Sequence, residues 1–221
     1  WLGSDTNWAS YATCTYERML TSLDEYLEKD TEVNFENLDS KVMDLFKFND
    51  GKYYGLPYAT SHLCLIWNKE MFAKSNLPDR APATWSEMED FSRRLIKLSD
   101  GTASQIGFSG GGTEGPYLYQ MLPTMLIQQF GPDRITLDLM DPKVTQTIEF
   151  CDKFYDMIKG KQTAGTAYSF ANGNCGMAIA SLSQMSSITQ SGIDFGIAPV
   201  PRPDDIDKYV VPSYIWQFSG I

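Results

Sequence analysis

At 221 residues, 43% hydrophobic and 13% aromatic, the chain has the composition of a soluble globular protein, long enough for one large domain or two small ones. Eighteen basic against 28 acidic residues leave a formal charge of −10. That balance disfavours nucleic acid, whose affinity rests on Lys and Arg neutralising phosphates. No apolar run approaches the roughly 20 residues that span a bilayer, and no secretory signal pattern is visible.

In chain order, residues 6–20 ("TNWASYATCTYERML") read as a helix behind Asp5 or Thr6, and residues 22–30 as a short turn and helix. Residues 34–48 carry Leu38, Val42, Leu45 and Phe46 at helical spacing. "NDGK" at 49–52 predicts a tight turn, and "KYYGLPYA" after it an extended segment. "HLCLIW" at 62–67 is apolar on both alternating faces apart from His62, which predicts a strand covered on two sides. "NKEMFAKSNLP" then reads as a short helix closed by Asn76 and Pro78.

The clearest local signal is "TWSEMEDFSRRLIKL", where Thr84 and Glu87 fit a capping box and Met88, Phe91, Leu95 and Leu98 form a stripe. "SQIGFSG" predicts a strand entering a glycine-rich loop, and residues 116–131 a helix kinked at Pro123 and ended by Gly131. Residues 141–160 place Val144, Ile148, Cys151, Phe154 and Ile158 on one helical face. "CGMAIAS" reads as a strand, residues 182–192 as a helix stopped by Gly192, and "IDFGIAPVP" as a strand. The sum is an α/β protein with sheets flanked by helices. Trp1 at the start, and a C-terminal "YVVPSYIWQFSGI" that stops inside a predicted strand, read as cuts in a longer protein.

Several motifs carry chemistry on paper. "GFSGG" at 107–111 is a literal G-x-S-x-G, which would make Ser109 a hydrolase nucleophile. Against this, the following helix starts late and the single histidine, His62, precedes Ser109, so a plain glycine loop is favoured. "SGGGTEG" could cradle a phosphate but lacks the G-K-[ST] ending. Asp5 and Glu114, each beside aromatics, are candidates for a glycosidase pair, weighed against solvated surface acids. His62 cannot make a triad or metal site with what is visible, and Cys14, Cys64, Cys151 and Cys175 show no C-x-x-C pair, so no metal ligands are assigned. One disulfide in an oxidising compartment stays open, without an assignable pairing. Trp1, Trp8, Tyr58, Tyr117, Tyr119, Tyr214 and Trp216 lie near predicted strand ends, the rim where open α/β sheets bind ligands. Core packing is the alternative for each of them.

Four stretches in order resemble the extracellular solute-binding proteins of ABC importers, the sugar-binding, maltose-binding-protein-like group. They are "GKYYGLPYATSHLCLIWNKEMF", "LPDRAPATWSEMEDFSRRL", "SFANGNCGMAIASLSQ" and "DFGIAPVPRPD". The resemblance implies a type II periplasmic-binding-protein fold of two α/β lobes joined by hinge crossings. Residues 1–60 would be part of the N-lobe, 61–212 most of the C-lobe, and 213–221 the second hinge strand returning to the N-lobe. It also implies a ligand-binding set of Trp1, Asp5, Ser61, His62, Glu114, Tyr117, Ser183, Tyr214 and Trp216. Trp1 and Asp5 resemble the N-lobe aromatic and acid that meet a sugar, and Tyr117 an aromatic platform of the C-lobe. Ser61 stands where some members have an acid, and Ser183 where a tryptophan often stacks. The function implied is capture of a carbohydrate and its delivery to membrane permease subunits. The protein would be a monomer without cofactor or catalysis, in the periplasm or on the cell surface as a lipoprotein. A polyamine or an anion is the alternative ligand.

Overall fold

The computed structural model describes residues 15–30, 40–44, 46–109, 118–131, 138–159, 161, 169–181, 184–210 and 213–219. The chain divides into two compact units, one of residues 1–61 and 213–221, the other of residues 62–212.

In the first unit, α1 (Asp24–Lys29) and α2 (Ser40–Asp44) are short. The "NDGK" turn forms as the sequence predicts. Gly51 adopts φ 78°, and the Phe48 amide donates to the Lys52 carbonyl at 2.9 Å. Asp24 ties the turn region to α1, its carboxylate accepting from Ser22 Oγ at 2.6 Å and from the Tyr53 amide at 3.1 Å. Phe46 is fully buried. Leu38 and Leu45, and most of the predicted first helix, lie outside the described residues. β1 (Leu56–Asn68) runs past the boundary between Ser61 and His62, and β6 (Ser213–Ser219) pairs with it.

The second unit is built on the sheet order β2-β3-β4-β1-β5, with β2 at Lys97–Ser99, β3 at Thr102–Ser109, β4 at Cys175–Ser181 and β5 at Phe195–Ala198. β3 and β4 are parallel, and the other pairs along this path are antiparallel. Alternation along β1 decides its neighbours. Leu65 and Trp67 join the larger core with Met177 and Ile179 of β4, while Ile66 turns to the smaller one with Ala178, Ala180, Phe170 and Ile188. Both faces of β1 are therefore covered, as the run "LCLIW" predicts.

The larger core is closed by α3 (Lys69–Lys74), α4 (Trp85–Leu95), α5 (Leu118–Phe130) and α6 (Pro142–Ile158), and the smaller by α7 (Met185–Gln190). Each start is chemically marked. Asn68 accepts from the Met71 amide at 2.9 Å, and Asp141 accepts from the Lys143 amide with Pro142 opening the helix. Thr84 Oγ1 accepts from the Glu87 amide at 3.4 Å, but Glu87 reaches back to the Ala83 amide at 2.7 Å, one residue beyond the usual capping-box partner. Trp85 stacks on Phe150 with centroids 4.3 Å apart and a 7° interplanar angle, joining α4 to α6. Burial of each such ring contributes about 2–3 kcal/mol.

Two expectations change. Leu98 is not on the α4 stripe: the helix ends at Leu95 and Leu98 sits on β2, 50% exposed. The cause is a two-residue hairpin at Asp100-Gly101, both at positive φ (51° and 77°), which pulls residues 97–99 into the sheet. Ile148 is 39% exposed, and the buried stripe of α6 passes through Thr147 instead. The Thr147 hydroxyl donates to the Lys143 carbonyl at 2.7 Å, which removes the cost of burying it. The helix that contains Pro123 runs from Leu118 to Phe130 and closes at Gly131, whose amide donates to the Ile127 carbonyl.

Candidate functional site

Of the residues assigned to ligand binding, Ser61 and His62 are consecutive on β1, one on each side of the boundary between the units. His62 is exposed. Tyr214 and Trp216 lie on β6, the strand that pairs with β1. Trp1, Asp5, Glu114, Tyr117 and Ser183 lie outside the described residues. Among the described residues, no three His, Cys, Asp or Glu side chains converge into a metal-holding group, and no helix is long and apolar enough to cross a membrane.

The hydrolase motif resolves into packing. Ser109 is the last residue of β3, opposite Ala178 and only 3% exposed, whereas an elbow serine must be raised out of the sheet. Gly107 has no room for a side chain, because a Cβ there would lie 2.1 Å from the Ser92 carbonyl oxygen. The motif's first glycine thus serves the approach of α4 to β3. Cys64, Cys151 and Cys175 are free thiols. Burial pushes Cys151 and Cys175 up to about 12, and raises Cys64 as well.

Among the described residues, two open cavities on the second unit stand out, and neither is lined by a residue assigned to ligand binding from sequence. The larger, about 630 Å³, lies between the start of α4 and the segment after β5, lined among others by Trp67, Arg80, Glu87, Pro199 and Tyr209. Its polar groups are already engaged. Trp67 Nε1 donates to Asp79 at 3.2 Å, while Arg80 forks onto Glu87 at 2.6 and 2.9 Å. That fork, with the Ala83 amide, holds the Glu87 carboxyl at about 2 against the desolvation that opposes it. The second cavity, about 500 Å³, has Arg93, Lys153, Lys161 and Asp156 around Ile96, Leu98 and Met157. Glu89 accepts from Lys153 and from Arg93, both at 2.8 Å, so two of its three cations are neutralised at its edge, and the two salt bridges lower the Glu89 pKa.

Sequence reasoning did not foresee how residues 199–210 are held. This stretch has no helix, and its only bridge is the parallel pair Thr84–Arg202. The Trp85 amide donates to the Arg202 carbonyl at 2.9 Å, and the Tyr209 hydroxyl donates to the Ala83 carbonyl at 3.3 Å. The Gln128 amide group then bonds the backbone of Val210 twice: Nε2 donates to its carbonyl and Oε1 accepts from its N–H. These partners are 82 or more residues apart, and no local pattern announces them.

Comparison with known proteins agrees with this architecture. Residues 5–221 match the model of a family described as bacterial extracellular solute-binding protein. A curated relative, the sn-glycerol-3-phosphate-binding periplasmic protein UgpB of Brucella abortus (strain 2308), is 26% identical over 189 residues, which is 78% of this chain and 42% of the relative. A Thermotoga lettingae solute-binding protein bound with α-D-tagatose superposes with a TM-score of 0.70 at 18% identity, covering 94% of this chain and 55% of that one. UgpB from Mycobacterium tuberculosis in complex with glycerophosphocholine gives 0.66 at 24% identity, covering 92% and 51%. The chain thus spans about half the length of the proteins it matches. The structural likenesses show the fold, the type II periplasmic-binding-protein class. This chain belongs to the bacterial extracellular solute-binding protein family.

Proposed function

We propose that the protein is the receptor of an ABC importer, capturing a carbohydrate between two lobes and presenting it to membrane permease subunits without covalent chemistry. The observation that carries this reading is the family match over residues 5–221. Membership places the protein outside the cytoplasm. The two compact units are read as parts of the two lobes, and the chain passages at Ser61–His62 and before Ser213 as the hinge crossings. Ligand would bridge the lobes and shift an open–closed equilibrium, because only the closed form makes both sets of contacts. Trp1, Asp5, Ser61, His62, Glu114, Tyr117, Ser183, Tyr214 and Trp216 are the proposed contacts. Aromatic faces would stack on sugar rings, and polar groups would bind hydroxyls in a site dried by closure. The burial of Ser109 supports a receptor over a serine hydrolase.

A second ligand class has its own support. The curated relative named above binds sn-glycerol-3-phosphate, and one structural neighbour holds glycerophosphocholine. A polyol phosphate shares hydroxyl recognition with a sugar but adds an anionic group. Thermal shift and tryptophan fluorescence of the full-length protein, with a panel of mono- and oligosaccharides, glycerol 3-phosphate and glycerophosphocholine, separate the two. Stabilisation by a saccharide that is recovered unchanged is the expected result. A shift with the phosphates alone would reassign the ligand, and ester or glycoside turnover abolished by Ser109→Ala would overturn the receptor reading.

A further inference from the structure

We propose that Gln128 is a positioning residue for the second crossing: its amide pins Val210 and so fixes where the chain leaves the second unit on its way to β6, which carries Tyr214 and Trp216. The inference rests on the receptor reading above for its functional consequence, but its structural part stands alone. Gln128 lies in the last turn of α5 and is 1% exposed. Burying an amide to that degree costs free energy unless it is bonded, and here both ends are used on one residue, with Nε2 donating to the Val210 carbonyl and Val210 N–H donating to Oε1 at 3.2 Å. The pairing copies a step of a β-ladder with a side chain in place of a strand.

The position gives this pair its consequence. Val210 stands three residues before Ser213, where β6 begins, and two before the boundary between the units at Pro212. From Pro199 to Val210 the backbone lacks a regular ladder, so discrete anchors fix its course. Arg202 is held at its backbone by Ala83 and Trp85, Tyr209 by its hydroxyl, and Val210 by Gln128, the last anchor before the crossing among the described residues. With Val210 fixed, the chain approaches the crossing from a defined point. Without that anchor the last fixed point moves back to Tyr209, and residues 214 and 216 lose a defined starting point.

The adjacent Gln129 provides the control. It is buried too, at 5%, yet among the described residues neither of its amide atoms meets a hydrogen-bond partner. The test is hydrogen exchange on the full-length protein, read on peptides covering residues 205–219, for wild type, Gln128→Met, Gln128→Glu and Gln129→Met. Methionine keeps the volume and removes both bonds, whereas glutamate keeps the acceptor for Val210 N–H and removes the donor. Expected for Gln128→Met is roughly tenfold faster exchange at Val210, the order that loss of one such bond gives, spreading into β6. Gln128→Glu should fall between it and wild type, and Gln129→Met should match wild type. Unchanged exchange at Val210 in Gln128→Met, or an equal rise throughout residues 62–212, would overturn the proposal. For the functional part, dissociation of whichever panel solute binds wild type should quicken in Gln128→Met, and an unchanged rate with a loosened β6 would overturn that part. If no panel solute binds wild type, the receptor reading is what fails, and the exchange data still decide whether Gln128 is the anchor.

Discussion

A methyl group placed on Gly107 would lie 2.1 Å from the carbonyl oxygen of Ser92 and 2.6 Å from its carbonyl carbon. The obstacle is backbone, which cannot rotate away as a side chain can. Gly107→Ala must therefore push α4 off β3 and open the core between Phe91 and Phe108. We expect a loss of about 3 kcal/mol or more, seen as a fall in Tm of roughly 5–10 °C. A Tm within a degree of wild type would show that the helix and strand are less closely seated than this contact requires.

The Arg80–Glu87 fork ties stability to acid pH. The folded carboxyl is held at about 2, below its ordinary 4.5, so its contribution is fully present above about pH 4.5 and is lost as pH falls through about 2. Glu87→Gln should lower Tm near neutrality by about 1–3 °C, since solvent screening limits such a pair to roughly 1 kcal/mol. The difference from wild type should shrink towards zero near pH 2. Equal deficits at pH 7 and pH 2 would mean that the bond to the Ala83 amide, not the charge, is what matters.

Gln129 carries a buried amide without partners, so an isosteric apolar residue should remove a desolvation cost and lose nothing. Gln129→Met should raise stability by about 1 kcal/mol, or Tm by roughly 2–4 °C, in thermal or urea unfolding. A destabilised variant would indicate a polar partner for this side chain.

The thiols should react in an order set by burial. Cys151 and Cys175, pushed up to about 12, hold almost no thiolate at pH 8 and are shielded from reagent. Cys64 is half-buried, its Sγ 3.5 Å from the Ala180 carbonyl. Peptide-resolved alkylation of the native protein should label Cys64 first of these three, with Cys151 and Cys175 modified only as fast as the fold opens. Rapid labelling of Cys151 would contradict the closed core of α6.

Much of the fold is local and was legible. The double-sided apolar run of β1, the cap at Thr84 and the glycine stops at Gly131 and Gly192 follow from residue chemistry over a few positions. Where local signals competed, tertiary structure or an overlooked turn won. Leu98 fitted a helical stripe, but the Asp100-Gly101 hairpin claimed it for β2. Thr147 looked polar, and its bond to Lys143 let it replace Ile148 in the core. The G-x-S-x-G at 107–111 was already disfavoured as an elbow by its late helix and the place of His62, and the close approach of Ser92 gives Gly107 its own reason in packing.

By itself the sequence determined the class of fold and the family resemblance, because each is written in short motifs whose geometry is set by neighbours in the chain. Only the tertiary structure decided which glycines are steric necessities, which glutamine is bonded and which is not, and how residues 199–210 are tied down. Those outcomes depend on atoms brought together from positions as far apart as Gln128 and Val210, and such distances in sequence leave no periodicity to read.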